Sequence, residues 1–114
     1  MNTTFYENTL NYNIITRFLH KNKNKIILKF FQNYSKKNIK DKIIILDIGC
    51  GPATIFEDLY KINSNISYVG IDIRDDFIDI ANQRFSKYNQ FKAIKAHIEE
   101  YLKNIDKVDL IISF

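Results

Sequence analysis

The feature that most constrains this chain is the stretch at residues 43–54, which reads Ile-Ile-Ile-Leu-Asp-Ile-Gly-Cys-Gly-Pro-Ala-Thr. A short, nearly continuous apolar run that ends at glycine is typical of a parallel β-strand buried on both faces. Gly49 and Gly51 have no Cβ atom, so the backbone can turn tightly there and a ligand can approach closely. The helix expected next begins with N–H groups that favour an anionic group. We therefore predict a strand, a glycine turn and a helix that hold a small anionic or zwitterionic ligand.

Two details separate this stretch from a dinucleotide-binding turn. The dinucleotide pattern Gly-x-Gly-x-x-Gly/Ala would place a small residue at position 54, where this chain has Thr54, and the small residue Ala53 comes one place earlier. Asp47 lies two residues before the first glycine, and a strand with only a structural role rarely has a carboxylate at its buried end. Both details disfavour a nicotinamide cofactor, which a glycine-rich turn otherwise leaves open.

The segment from Leu46 to Ala53 resembles motif I of the class I S-adenosylmethionine-dependent methyltransferases, whose pattern is acid-x-Gly-x-Gly-x-Gly. Ala53 stands in the place of the third glycine. The resemblance covers residues 43–114 and implies S-adenosyl-L-methionine as the cofactor. The motif residues that would bind it are Asp47, Gly49, Cys50 and Gly51.

The fold that this resemblance implies is an α/β Rossmann-like three-layer sandwich. It has a parallel sheet in the order 3-2-1-4 with helices on both faces and right-handed crossovers between the strands. The switch in strand order then places the ligand at the carboxyl ends of the strands.

An acid at the end of the second strand is the next candidate position. We predict this strand at residues 66–73, and Asp72 follows Gly49 by 23 residues. An acid so placed can accept hydrogen bonds from both ribose hydroxyls of an adenosine, which is the role the family implies for Asp72. Ile73 would lie against the adenine. The alternative role, capping the next helix, is better suited to Asp75.

Further positions follow the third strand, which we predict at residues 90–96. The family usually has an acid here that contacts the adenine amino group, whereas this chain has His97, whose neutral imidazole can still accept a hydrogen bond. Ile98 would pack against the adenine. Residues 108–114 form the predicted fourth strand, and the family normally continues from there with a substrate loop and a fifth strand. We therefore expect the chain to hold the cofactor half of the domain.

The N-terminal part is predicted to be a separate helical unit. We divide the chain into helices at residues 1–38, which pack on the sheet or cap the cleft, and a cofactor domain at residues 39–114. Two helices are expected, at residues 7–20 and 26–34, because the Lys/Asn run between them interrupts the apolar pattern. Two tyrosines are candidate lid residues from their position alone: Tyr6 and Tyr12.

Charge is unevenly distributed along the chain. Residues 17–42 hold nine basic residues against Asp41 alone, whereas residues 43–114 hold eight basic and eleven acidic residues. A basic segment beside a ligand domain can steer nucleic acid toward the site. However, the chain is rich in Asn, Ile and Lys throughout, and lysines on a solvated helix face need no partner. We therefore favour a solvated helix face over a nucleic-acid site.

Length and composition limit the classes of protein to which the chain can belong. The chain of 114 residues, 46% of them hydrophobic, corresponds to about one small globular domain. It has no uncharged apolar stretch of about eighteen residues and no signal-peptide pattern. Its single cysteine, Cys50, agrees with a reducing compartment, so we expect a cytoplasmic protein. The sequence contains neither a Cys-x-x-Cys pair nor a histidine cluster, so we predict no metal site.

Three functions remain open on these residues. The first is methyl transfer from S-adenosyl-L-methionine to an acceptor that is a small molecule, a protein or RNA, with catalytic residues that the sequence does not identify. The second is a non-catalytic fragment or regulatory subunit that binds the cofactor. The third, which is disfavoured, is a nicotinamide-dependent enzyme. The outer edge of the fourth strand has no neighbouring strand in this prediction, so we also expect self-association or a partner chain at that edge.

Overall fold

A computed structural model of the protein describes residues 10–38, 41–105 and 107–113, with the side chains of the first helix described from Asn22 onward. Its elements in chain order are α1 (Leu10–Lys37), β1 (Ile43–Ile48), α2 (Ile55–Ile62), β2 (Ile66–Asp72), α3 (Asp75–Phe85), β3 (Phe91–Lys95), α4 (Ile98–Leu102) and β4 (Leu110–Ser113). Within the described ranges, no helix combines the length and apolar character needed to cross a membrane.

The four strands form one parallel sheet in the order β3-β2-β1-β4. This confirms the predicted order and the Rossmann-like fold. Strand β1 is central, and Asp47 near its end pairs with Gly70 on β2 and with Ile112 on β4. The strand order reverses between β1 and β4, and sheets of this kind bind ligands at the carboxyl ends of the strands beside such a switch point.

One aromatic cluster attaches the helix after the glycine turn to the sheet. Phe56 on α2 is completely buried, and burying a side chain of this size contributes roughly 1.5–3 kcal/mol to folding. Its ring centroid lies 4.9–5.9 Å from those of five other rings, in the arrangements that aromatic pairs prefer. These rings belong to Tyr60, Tyr68, Phe85, Tyr88 and Phe91. The cluster fixes α2, and therefore the turn before it, against β2 and β3.

The N-terminal helix differs from the prediction. Helix α1 is continuous over 28 residues, so the expected division into two helices is wrong. The Lys/Asn run does not break the helix because Asn24 falls three residues before Ile27 and seven before Phe31, on the same inward face. Phe31 is buried in the same core as Phe56, and this packing outweighs the modest helix propensity of two asparagines. Tyr6 and the side chain of Tyr12 lie outside the described residues.

Strand β4 is shorter than predicted and borders an open sheet edge. It begins at Leu110, and Asp109 before it bonds β1 through both its backbone and its side chain: its N–H donates to Ile44 O at 2.8 Å, and its Oδ2 accepts from Ile44 N at 2.8 Å. Among the described residues no strand pairs with the outer side of β4, and Ile111 there is 60% exposed. Strands β2 and β3 match their predicted ranges to within one residue at each end.

Candidate functional site

The glycine turn after β1 places alternate residues in the left-handed backbone region. Gly49 has φ +69°, Gly51 +57° and Ala53 +59°. At both glycines the position that a Cβ atom would occupy is open space. No side chain therefore separates the backbone from a ligand that approaches there. Ala53 adopts the third position despite its Cβ atom, at a cost of about 1–2 kcal/mol. The turn therefore has the geometry that three glycines would favour.

The N–H groups of this turn already have acceptors in the protein. Those of Gly49 and Cys50 donate to Ile71 O at 2.9 and 3.0 Å, and that of Ala53 donates to Cys50 O at 3.0 Å. The N–H of Gly51 donates to Asp72 Oδ2 at 3.0 Å. Because these four groups are engaged, they do not form the phosphate cradle that a dinucleotide-binding turn offers.

Asp72 joins the end of β2 to the turn. Besides the bond from Gly51, its Oδ1 accepts from Arg74 N at 3.0 Å. A carboxylate has about four acceptor sites, so half of its capacity is free for other donors. Asp75 does not cap helix α3 as predicted: it is the first helical residue, and its carboxylate binds Lys95 Nζ at 3.1 Å.

Two adjoining cavities lie along the carboxyl ends of the strands. The strand-end cavity, about 470 Å³, is enclosed by the ends of β1 and β2 and the start of α4. The turn cavity, about 410 Å³, is enclosed by the glycine turn, the start of α2 and part of α1. Gly49 and Asp72 line both, so the two are halves of one crevice.

The structure brings all eight predicted site residues to this crevice. The strand-end cavity is lined by Gly49, Asp72, Ile73, His97 and Ile98. The turn cavity is lined by Asp47, Gly49, Cys50, Gly51 and Asp72.

The strand-end cavity combines an apolar surface with a polar rim. Ile73 is 59% exposed, an unusual state for an isoleucine beside a concave surface, and Ile98 is half-buried. His97 is exposed and lies at the N-cap of α4, with its backbone carbonyl accepting from Tyr101 N at 3.1 Å. Glu99 follows in the first turn of the same helix. Such a site suits a flat, apolar ring system with polar edges.

Asp47 is the buried acid of the crevice. Only 2% of it is exposed, and Tyr68 Oη donates to its Oδ2 at 2.5 Å, while its Oδ1 is buried without a hydrogen-bond partner. Burial raises the pKa of Asp47 to about 6; the hydrogen bond from Tyr68 opposes this rise, and the nearby charge of Asp72 adds to it.

Cys50 contributes to the crevice through the backbone of the turn. A Cβ atom at Gly70 would lie 2.7 Å from Cys50 Sγ, so the thiol occupies the space above Gly70 on β2. Burial raises the pKa of Cys50 to about 12, which keeps it a neutral thiol. These observations favour a packing role for its side chain.

The sequence profile of a family described as a methyltransferase domain matches residues 39–114. The chain belongs to this family. No curated protein sequence matches it.

Solved structures share the fold of this methyltransferase domain. The plantazolicin methyltransferase BamL, in complex with a triazolic desmethylPZN analog and SAH, has a TM-score of 0.65 and 22% identity over 95% of this chain and 41% of BamL. PKMT2 from Rickettsia typhi, in complex with AdoHcy, has a TM-score of 0.57 and 22% identity over 63% of this chain and 14% of PKMT2. M. capricolum TrmK, in complex with S-adenosyl-homocysteine, has a TM-score of 0.54 and 25% identity over 62% of this chain and 34% of TrmK. The domain therefore spans less than half of each of these proteins.

Sequence reasoning did not assign several residues that line the crevice, among them Asn24 and Phe77, nor the buried Tyr68 that contacts Asp47. Asn24 lines the turn cavity from α1, and it was missed because the Lys/Asn run was interpreted as a break between helices. Its spacing to Ile27 and Phe31 was the signal that could have placed it on an inward face. Phe77 lines the same cavity from α3. Tyr68 was missed because the sequence does not indicate which residue of a neighbouring strand its hydroxyl contacts.

A second cavity of the described residues lies apart from the predicted site. A more apolar cavity of about 330 Å³ lies between α1 and β4, and none of the eight predicted residues lines it. Across the described residues, no three His, Cys, Asp or Glu side chains are grouped so that they could hold a metal ion.

The raised pKa of Asp47 predicts a pH-dependent stability. An acid whose pKa rises from 3.8 unfolded to about 6 folded destabilises the protein above that range, by up to about 3 kcal/mol. The free energy of unfolding should therefore be higher for Asp47→Asn than for the wild type at pH 8. This gap should narrow as the pH falls through about 6 toward 4. Urea denaturation at several pH values measures it, and a gap that is independent of pH would contradict the assignment.

Proposed function

We propose that this methyltransferase domain binds S-adenosyl-L-methionine across the two halves of the crevice and is the cofactor-binding part of a methyltransferase. The observation that carries the proposal is the link between Asp72 and the glycine turn: the acid at the end of β2 bonds Gly51 while lining both cavities. An adenosine and an amino-acid group on either side of such an acid would fill both cavities.

The adenosine is assigned to the strand-end cavity. The free acceptor sites of Asp72 suit the two ribose hydroxyls, which are donors. Ile73 and Ile98 offer apolar surface for the adenine ring, which accounts for the exposure of Ile73. His97 at the rim can accept from the adenine amino group in its neutral form.

The amino-acid end of the cofactor is assigned to the turn cavity. Gly49 and Gly51 leave open space at the ligand-facing surface, so close backbone approach is available there. Asp47 supplies an unpaired carboxylate oxygen, and Cys50 contributes the backbone between the two glycines.

The proposed reaction is attack by a nucleophile of the acceptor on the sulfonium methyl carbon, with inversion at that carbon. The cofactor supplies the activated methyl group and its own leaving group, so the protein contributes chiefly alignment and exclusion of water. We assign no general base among the described residues. We leave the acceptor open between a small molecule, a protein and RNA.

A non-catalytic cofactor-binding role is the second candidate, because the domain covers at most 41% of the three structures reported above. A radiolabelled methyl assay with candidate acceptors separates the two roles. A nicotinamide enzyme is disfavoured because the N–H groups of the turn are engaged in hydrogen bonds within the protein.

We also propose a cytoplasmic location, which the single cysteine supports. We further place a boundary near residue 39, between the N-terminal helix and the methyltransferase domain, because the family match begins there.

Cofactor choice and the role of Asp72 are tested by calorimetric titration. The wild type should bind S-adenosylhomocysteine and show no comparable binding of NAD. Asp72→Ala should weaken S-adenosylhomocysteine binding at least about tenfold, because it removes roughly 2–4 kcal/mol of hydrogen bonding to the ribose.

Asp76→Ala is the matched control, since Asp76 is an exposed acid that pairs with Arg74 outside both cavities. Circular dichroism checks that each variant is folded. Preference for NAD, or unchanged affinity in Asp72→Ala, would refute the proposed site.

We further propose that the 114-residue chain by itself pairs with a second copy through the outer edge of β4. This edge carries no charged residue or proline within Leu110–Ser113 that would block pairing, and it borders the apolar cavity beside α1. Sedimentation velocity should show association that rises with concentration and decreases in Ile111→Lys. Ile80→Lys, on an isoleucine that is 42% exposed on α3, should associate like the wild type. Equal association in all three proteins would exclude this edge.

A further inference from the structure

Tyr68 brings a phenol to the buried acid of the crevice. It is completely buried on β2, two residues before Gly70, and Gly70 faces Asp47 in the sheet. Because Gly70 has no side chain, the ring of Tyr68 and the thiol of Cys50 occupy the space around it. From there the Tyr68 hydroxyl donates to Asp47 Oδ2.

The position of this hydroxyl is set by ring packing and not only by the acid. The Tyr68 ring stacks on Phe91 with centroids 5.3 Å apart and an interplanar angle of 10°, and it meets Phe56 at 5.3 Å and 60°. Burial raises the pKa of Tyr68 well above its usual value, so the phenol keeps its proton and remains a donor. The Oδ2 oxygen of Asp47 is therefore occupied by the hydrogen bond from Tyr68.

The other oxygen of Asp47 lacks a partner. Its Oδ1 is buried and unpaired, and a buried carboxylate oxygen in this state is unfavourable. Asp47 lines the turn cavity with Asn24, and none of the described residues around that cavity carries a positive charge. A donor on a bound ligand, preferably a cation, would satisfy this oxygen.

We propose that Tyr68 is a positioning residue for the amino-acid end of the cofactor: by holding Oδ2 of Asp47, it directs Oδ1 to the ligand's ammonium group. This inference rests on the proposed cofactor site and adds the residue that prepares it. Tyr68 itself does not touch the ligand, since it lines neither cavity.

The proposal has a signed pH dependence. The groups that face Asp47 are Tyr68 from β2, the neutral thiol of Cys50 from the turn, and the carboxylate of Asp72 at the end of β2. Only the Tyr68 hydrogen bond lowers the pKa of Asp47. Without it, the pKa of Asp47 rises further, so Asp47 becomes protonated at a higher pH and loses the charge that attracts the ammonium group.

The test is Tyr68→Phe, which removes the hydroxyl and keeps the ring. Two ligands are titrated by calorimetry: S-adenosylhomocysteine, which has the ammonium group, and 5′-methylthioadenosine, which has the same adenosine and sulfur but no amino-acid end. At neutral pH the variant should bind S-adenosylhomocysteine about tenfold more weakly, the loss expected for one charge-assisted hydrogen bond. This deficit should shrink as the pH is raised, because Asp47 then becomes ionised in both proteins. Binding of 5′-methylthioadenosine should be unchanged.

Tyr88→Phe is the matched control, because it removes a hydroxyl from the same aromatic cluster without reaching Asp47. It should bind both ligands like the wild type. An equal loss of both ligands in Tyr68→Phe, or unchanged binding of S-adenosylhomocysteine, would overturn the positioning role and leave Tyr68 with a role in stability alone. A wild type that binds neither ligand would overturn the proposed function and this inference with it.

Discussion

The structure depends on how the turn after β1 is tied to the end of β2. Two N–H groups of the turn share the carbonyl of Ile71, and a third bonds the carboxylate of Asp72. These bonds hold the left-handed conformations at Gly49 and Gly51, which in turn direct the chain into α2. The aromatic cluster around Phe56 then fixes α2 on the sheet. The crevice is thus shaped by hydrogen bonds from the backbone N–H groups of the turn, two to a backbone carbonyl and one to a side chain.

This frame contains one group that opposes folding. Asp47 lies in the central strand with a single hydrogen-bond partner, and burial favours its neutral form. Tyr68 offsets only part of that cost. A buried acid that is incompletely satisfied in the protein alone is typical of sites where a ligand completes the hydrogen bonding. The stability lost there is consistent with a binding function for the carboxyl end of β1.

Much of this fold could be predicted from the sequence because strong local patterns specify it. The apolar run of β1 and the alternating glycines carry the family resemblance that implied the strand order, and the spacing to Asp72 indicated where the crevice lies. Long-range packing was less accessible. Phe31 stabilises a continuous α1 across the Lys/Asn run, and the bond between Tyr68 and Asp47 joins residues 21 positions apart on different strands. Neither local propensity nor spacing indicates such contacts.

The central claim is that one ligand spans both halves of the crevice, with Asp72 between them. Backbone amide NMR of the labelled chain titrated with S-adenosylhomocysteine tests it most directly. The account predicts that the largest shifts fall in three segments, at residues 47–54, 71–74 and 96–99. Shifts confined to the apolar cavity between α1 and β4, or to one half of the crevice, would contradict it.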